Sequence, residues 1–333
     1  MARSAMLALA TFAVMSVAIN AQTDIDTPAG SFTPQSPVNE QLQVSATVAT
    51  IMQQLTESDF DAAKQTYEDS NLLKAFGMGT GLSGPVFDQA RAFFGGSADF
   101  NNQYLNEGFA ATEAPALLEM VQKTVMDAIP VQAIASLAYS AAQNNDRTSW
   151  DQACALYTGS AQNRGATPYE RAEKRAANFD TFTGNAATVN VNILQACSVG
   201  PSVVNYDTIM HNIEVFYAQV TIRYARLLDI DYAEDLSTVD HRAEGQAFYR
   251  IIAPMVAAAD TSCHNTMDQL YNFDKTPVPG VQYYCEAVTC IPAALGITET
   301  ELGTLEDTDG VCEGTAPIST PAGVFAPQTP VFE

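Results

Sequence analysis

Cations are scarce in this chain: 15 lysines and arginines stand against 38 aspartates and glutamates, for a formal charge of −23 over 333 residues. A deficit of that size excludes partners held by phosphate contacts, nucleic acid and anionic membrane surfaces among them. It suits a cation-rich exterior, where screening softens self-repulsion, and it also keeps an exported chain soluble. No Cys-x-x-Cys occurs, which excludes zinc ribbons and thioredoxin-like redox sites. The absence of His-Glu-x-x-His removes the common zinc-peptidase helix, and the absence of Gly-x-Ser-x-Gly removes the nucleophile elbow. No Asn-x-Ser/Thr sequon is present, so N-glycosylation is not expected. Apart from the N-terminus no apolar run reads as a membrane span, so no membrane insertion is predicted. Strand-type alternation is sparse.

What is present reads as an exported helical protein. Arg3, the apolar run Met6 to Val17, and small residues with cleavage points after Ala18 or Ala21 mark residues 1–21 as a secretory signal. Residues 22–39 carry Thr, Pro, Gly and Ser without periodicity and read as a flexible leader. Residues 40–305 read as one helical domain, and 306–333 as an acidic, Pro-rich tail. The predicted fold class is all-α: a multi-helix, bundle-like array with disulfide-stapled loops and an irregular C-terminal tail. The 6 cysteines suit disulfides in an oxidising compartment. Proximity favours Cys154–Cys197 and a cluster of Cys263, Cys285, Cys290 and Cys312.

An irregular internal repeat has the form aromatic-Asp-x-Ala-x-x-x-aromatic followed by Ser. It begins at Phe60, Phe87 and Trp150, with Ser70, Ser97 and Ser160 closing each copy. Aromatic, Ala and aromatic at i, i+3 and i+7 make one helical stripe in which the small Ala admits a neighbouring helix. Ser58, Ser83 and Ser149 are the expected N-caps, and the reading is core packing rather than ligand binding.

Of 3 histidines, two begin the same pattern: His211-Asn212-Ile213-Glu214 and His241-Arg242-Ala243-Glu244. Imidazole and carboxylate three apart lie one helical turn apart on one face, half of a transition-metal site; the bland alternative is a local side-chain hydrogen bond. One helix is expected from about Val204 to Leu228 and the next from about Thr238 to Ala259, with Pro254 as a kink. A short connection favours an antiparallel pair and separates the two His-Glu pairs by roughly 20 Å along the axis. His241 and Glu244 head an apolar stripe and are the preferred metal ligands, followed by His211 and Glu214. Tyr217, one turn on, is added because phenolate suits ferric iron. His264 is read as structural.

Three blocks carry a resemblance: Trp150 to Ser160, Thr167 to Phe179, and Ala243 to Pro254. With the export signal they resemble the low-iron-inducible periplasmic proteins of algae, an iron-assimilation family, over roughly residues 40–300. That resemblance implies secretion to the periplasmic space, induction under iron limitation and a part in iron uptake, but assigns no ligand. A looser likeness, to imelysin-like periplasmic proteins, rests on the His-x-x-Glu pattern alone, with Ile209 and Val239 where those proteins usually have Gly. The function expected is a secreted, non-enzymatic iron-binding protein whose partners are iron ions (Fe3+ or Fe2+) and a plasma-membrane iron transporter or cell-wall components. The alternatives are a cell-surface structural or interaction protein and, less favoured, an imelysin-like metallopeptidase.

Overall fold

Fifteen α-helices are present among the residues described by the computed structural model, 24–111 and 114–312. The expected signal peptide, and the expected tail beyond Cys312, lie outside the described residues. The all-α expectation holds, with two small hairpins added. The first reverses the expectation of a flexible leader: strands β1 (Ile25–Thr27) and β2 (Gly30–Phe32) pair antiparallel. Ile25, Phe32 and Val38 are buried in the main core. A short turn with alternating apolar residues is enough to dock, and a buried acceptor fixes it. Asp151 Oδ2 accepts from the backbone N–H of Gln35 (2.6 Å) and Ser36 (3.0 Å), while Arg147 Nε donates to its Oδ1 at 2.8 Å.

The helices follow in order: α1 (Asn39–Thr56), α2 (Phe60–Asp69), α3 (Asn71–Gly77), α4 (Pro85–Phe93), α5 (Phe100–Ala110) and α6 (Ala114–Lys123). A π-helical turn, Thr124–Ala128, joins α6 to α7 (Ile129–Asn144). Next come α8 (Arg147–Thr158), a 3-10 turn Ala161–Ala166, α9 (Pro168–Phe179), the second hairpin (β3, Phe182–Thr183; β4, Ala186–Ala187) and α10 (Thr188–Val199). The chain closes with α11 (Val203–Ala233), α12 (Val239–Ala259), α13 (Thr261–Tyr271), α14 (Tyr283–Leu295) and α15 (Glu299–Leu302).

The repeat stripes are core. Ala63, Ala90 and Ala153 are fully buried, as are Tyr67, Trp150 and Tyr157. The caps are not the expected serines. Asp59 accepts from Ala62 N–H and Asp146 from Thr148 N–H, whereas Gly84 precedes Pro85 in α4. Asp caps at least as well as Ser; the Ser149 hydroxyl donates to Asp146 instead, and Ser83 gives its backbone N–H to Ser136 Oγ.

The helix from Ala116 to Asn144 is long and apolar enough to cross a membrane, a stretch not anticipated above; 78% of its most apolar window is buried inside the protein. It forms the interior wall against which α8, α11 and α12 pack. Helices α11 and α12 are joined by residues 234–238 and run antiparallel. His241 meets Asp231, Tyr224 stacks on Phe248, and Tyr217 lies further along the same ring. Helix α12 continues through Pro254 to Ala259. Disulfides join Cys154–Cys197, Cys263–Cys290 and Cys285–Cys312. The first ties α8 to α10, the second α13 to α14, and the third holds the chain after α15 onto α14. Three disulfides fit an oxidising compartment.

Candidate functional site

The π turn places a carboxylate as deeply buried as that of Asp151. A π turn inserts one extra residue into a helix and re-aims the side chains around it. Here it brings Asp127, wholly inaccessible, toward α9 and α11. Arg171 of α9 donates through Nη2 to Asp127 Oδ2 (3.1 Å) and through Nε to Oδ1 (3.3 Å). The Tyr217 hydroxyl donates to the same Oδ1 at 2.9 Å. Burial works against the Arg171 charge, but Asp127 outweighs it and holds the guanidinium above its ordinary value. Burial, reinforced by Asp127, pushes the Tyr217 phenol far up. Its hydroxyl is thus spent as a donor to Asp127 inside a closed ion-pair cluster.

One turn earlier, Lys123 bridges two carboxylates. Its Nζ lies 2.7 Å from Glu119 Oε2 and 3.0 Å from Glu244 Oε1. It also stands 5.6 Å from the Phe248 ring centre, and Arg171 stands 4.6 Å from that centre. Glu119 and Tyr224 are both close enough to Glu244 to influence its ionisation. The two carboxyls are pushed in opposite directions. Burial raises Glu119 to about 7, with Lys123 opposing and Glu244 adding. Burial also acts on Glu244, but Lys123, Tyr224 and Glu119 together prevail and hold it below its usual value. Such a split is what two close carboxyls with different neighbours produce.

Arg175 completes this interior column. It is 7% exposed, its Nε has no hydrogen-bond partner, and among the described residues it makes no ion pair. Burial first, then the like charges of Arg223 and Arg171, lower it to about 10.

The five residues expected to bind metal do not converge. His211 Nε2 pairs with Glu301 Oε1 at 2.9 Å, and His241 Nδ1 with Asp231 Oδ2 at 2.6 Å. Neither histidine takes the Glu three residues on as its hydrogen-bonding partner. Asp231 lies roughly 30 Å along α11 from His211, at 1.5 Å per residue, so the two pairs cannot share one site. Glu214 is raised to about 7 by burial, with His211 opposing. Tyr217 belongs to the Asp127 cluster and Glu244 to the Lys123 bridge. Among the described residues no group of three or more His, Cys, Asp or Glu side chains is placed to hold a metal ion.

Sequence reasoning missed Glu119, Lys123, Asp127, Arg171, Arg175 and Tyr224. A signal existed for most of them. Charges at 119, 123 and 127 interrupt an otherwise uncharged helix, and Arg171 and Arg175 sit one turn apart inside the block 167–179. Charged residues in a buried stripe demand partners. Comparison with protein-family models, with characterised proteins and with solved structures finds no match for the chain.

Proposed function

We propose that this chain is a secreted protein that binds iron and assists its assimilation outside the plasma membrane, without catalysis. Iron is its cargo, passed to a plasma-membrane transporter. The observation that carries this reading is the cluster of oxygen donors at Glu119, Glu244 and Tyr224. Two carboxyls and a phenol are a donor set for a hard ion such as Fe3+. They lie in the interior beside an ammonium, Lys123, that already neutralises a negative site. The resemblance of the three sequence blocks to an iron-assimilation family, the acidic surface and three disulfides support the same reading. Loading then displaces the Lys123 ammonium and the protons of Glu119 and Tyr224, so affinity rises with pH. The preferred ligand pair accordingly narrows to Glu244 with new partners, and His211, Glu214, His241 and Tyr217 fall outside the proposed set.

A titration with ferric citrate, followed by the phenolate-to-iron absorption band, tests this. The expected result is saturable binding in the wild type that is lost in the Glu119→Gln/Glu244→Gln double variant and kept in His211→Ala. Absence of binding in the wild type, or equal binding in the double variant, overturns the assignment. A second reading, a cell-surface interaction protein that engages wall components, is favoured by one observation: Lys123 and Arg171 already pair with Glu119, Glu244 and Asp127. Tight association with wall polymers by a protein that takes up no iron would decide for it.

A further inference from the structure

Away from the interior column, a small cleft of about 130 Å³ opens between the end of α4, the middle of α12 and the face of α13. Its lining includes Arg250, Gln246, His264, Tyr249, Phe93 and Phe94. Arg250 is the notable group. Its guanidinium carbon lies 4.1 Å from the ring centre of Phe94 and 3.9 Å from that of Tyr104. Stacking on aromatic faces fixes the plane of a guanidinium while leaving its N–H edge free for a planar, bidentate acceptor. No such acceptor is supplied by the protein. Among the described residues Arg250 makes no ion pair and its guanidinium donates no hydrogen bond to the protein, although the residue is half-buried. Glu107 acts on Arg250 at longer range without forming an ion pair with it.

The surrounding groups complete a recognition site. The Oε1 of Gln246 accepts from the Tyr104 hydroxyl at 3.1 Å, which leaves the Gln246 amide NH2 as a second donor in the lining. His264 shares a hydrogen bond of 2.9 Å between Nδ1 and the Tyr249 hydroxyl. The one carboxylate of the lining, Asp268, is taken by Lys275. The walls are aromatic. Phe93 stands edge-on to Phe94 and to His264, with ring centres 4.8 Å and 5.2 Å apart, and Phe93 is 37% exposed at the rim. Few polar groups converging in an apolar, aromatic-walled cleft is how small-molecule sites are generally built.

We propose that this cleft binds a small organic acid, its carboxylate held by Arg250 and Gln246 and its apolar body lying against Phe93, Phe94 and Tyr249. The aromatic rim separates an organic carboxylate from inorganic phosphate, which would use the guanidinium alone. A cleft of this size fits an acid of the dimensions of benzoate, and that compound serves as the probe.

Calorimetric titration of the full chain with benzoate and with inorganic phosphate tests the assignment. The expected result is saturable benzoate binding that weakens at least about tenfold in Arg250→Lys, which keeps the charge and loses the planar fork. Phe93→Ala, at the exposed rim, weakens benzoate and leaves phosphate unchanged. A reading on the wild type alone guards against misfolded variants: of the 3 histidine signals, that of His264 shifts on adding benzoate. Absence of saturable benzoate binding overturns the proposal. So does phosphate binding as tight as benzoate and insensitive to Phe93→Ala, or a shift confined to His211 or His241.

Discussion

Glu214 shows at the level of one residue how burial changes what a motif means. Its carboxyl is raised from the usual 4.5 to about 7 by burial, against the opposing charge of His211. Between those values the folded chain keeps a proton that the unfolded chain has released. The contribution of this group to stability is therefore full below pH 4.5, falls as pH rises, and is lost above about 7. Glu214→Gln removes that slope. Urea midpoints of variant and wild type should coincide below about pH 4.5, diverge in favour of the variant between 4.5 and about 7, and keep a constant gap above that. A constant offset at every pH would show instead that the group packs without titrating in this window. The same residue explains why the site was only partly legible. His-x-x-Glu spacing fixes that two side chains share a helix face, and α11 and α12 are indeed helical there. It says nothing of what faces them. His211 is taken by Glu301 from ninety positions away, and His241 by Asp231 across a helix hairpin. Those partners arise from tertiary placement, which no local period encodes. The interior column was half-readable, because Glu119, Lys123 and Asp127 are the charges of a helix whose other residues are uncharged.

Helices were easier to read than their ends or their crossings. Apolar periodicity located α11 and α12 to within a few residues, yet α11 runs five residues beyond Leu228, because Leu228 and Asp231 pack inward. Cap identity was not legible: the Asp and Ser residues before α2 and α8 all qualify by chemistry, and backbone geometry chooses Asp. Nor was the π turn, since its extra residue leaves no periodic trace over so short a span. The close crossing of α12 and α13 has a clearer sequence mark, Gly245. Ordinarily Gly→Ala inside a helix stabilises by about 1 kcal/mol. Here a Cβ at 245 would fall 2.2 Å from Cε1 of Tyr271. Tyr271 cannot retreat. It is 1% exposed and its hydroxyl donates to the Thr221 carbonyl at 2.6 Å. Gly245→Ala should therefore destabilise by about 1–3 kcal/mol, the usual cost of overpacking a filled core. Gly245→Ala combined with Tyr271→Phe, which frees the ring from its hydrogen bond, should recover part of that loss. Chemical denaturation of both variants checks the sign; a stabilised Gly245→Ala would mean that the two helices separate at little cost.

For the molecule as a whole, the disulfides and the N-terminal hairpin act as one assembly. Cys154–Cys197 joins α8 to α10 where three other contacts meet. Trp150 Nε1 donates to the Cys197 carbonyl at 3.2 Å, and Ser198 Oγ donates to the Ser31 carbonyl of β2 at 3.0 Å. Asp151, one step from Trp150, holds the backbone of Gln35 and Ser36. The hairpin is thus seated on a corner whose two helices are covalently fixed. Closing a loop of 43 residues restricts the unfolded chain by about 4 kcal/mol in the chain-entropy account. Replacing both cysteines by alanine should lower global stability by about that amount. It should also do something local: with α8 and α10 free to shift, the hairpin loses its seat before the rest unfolds. Asp151→Asn separates the two effects, because it weakens the hairpin's anchor and leaves the covalent corner in place. Limited proteolysis between residues 24 and 38 should therefore accelerate in both variants, whereas the thermal midpoint should fall strongly only in the double cysteine variant. Equal protection of the hairpin in all three proteins would place its stability in Ile25, Phe32 and Val38 alone, with the polar corner a bystander to their burial.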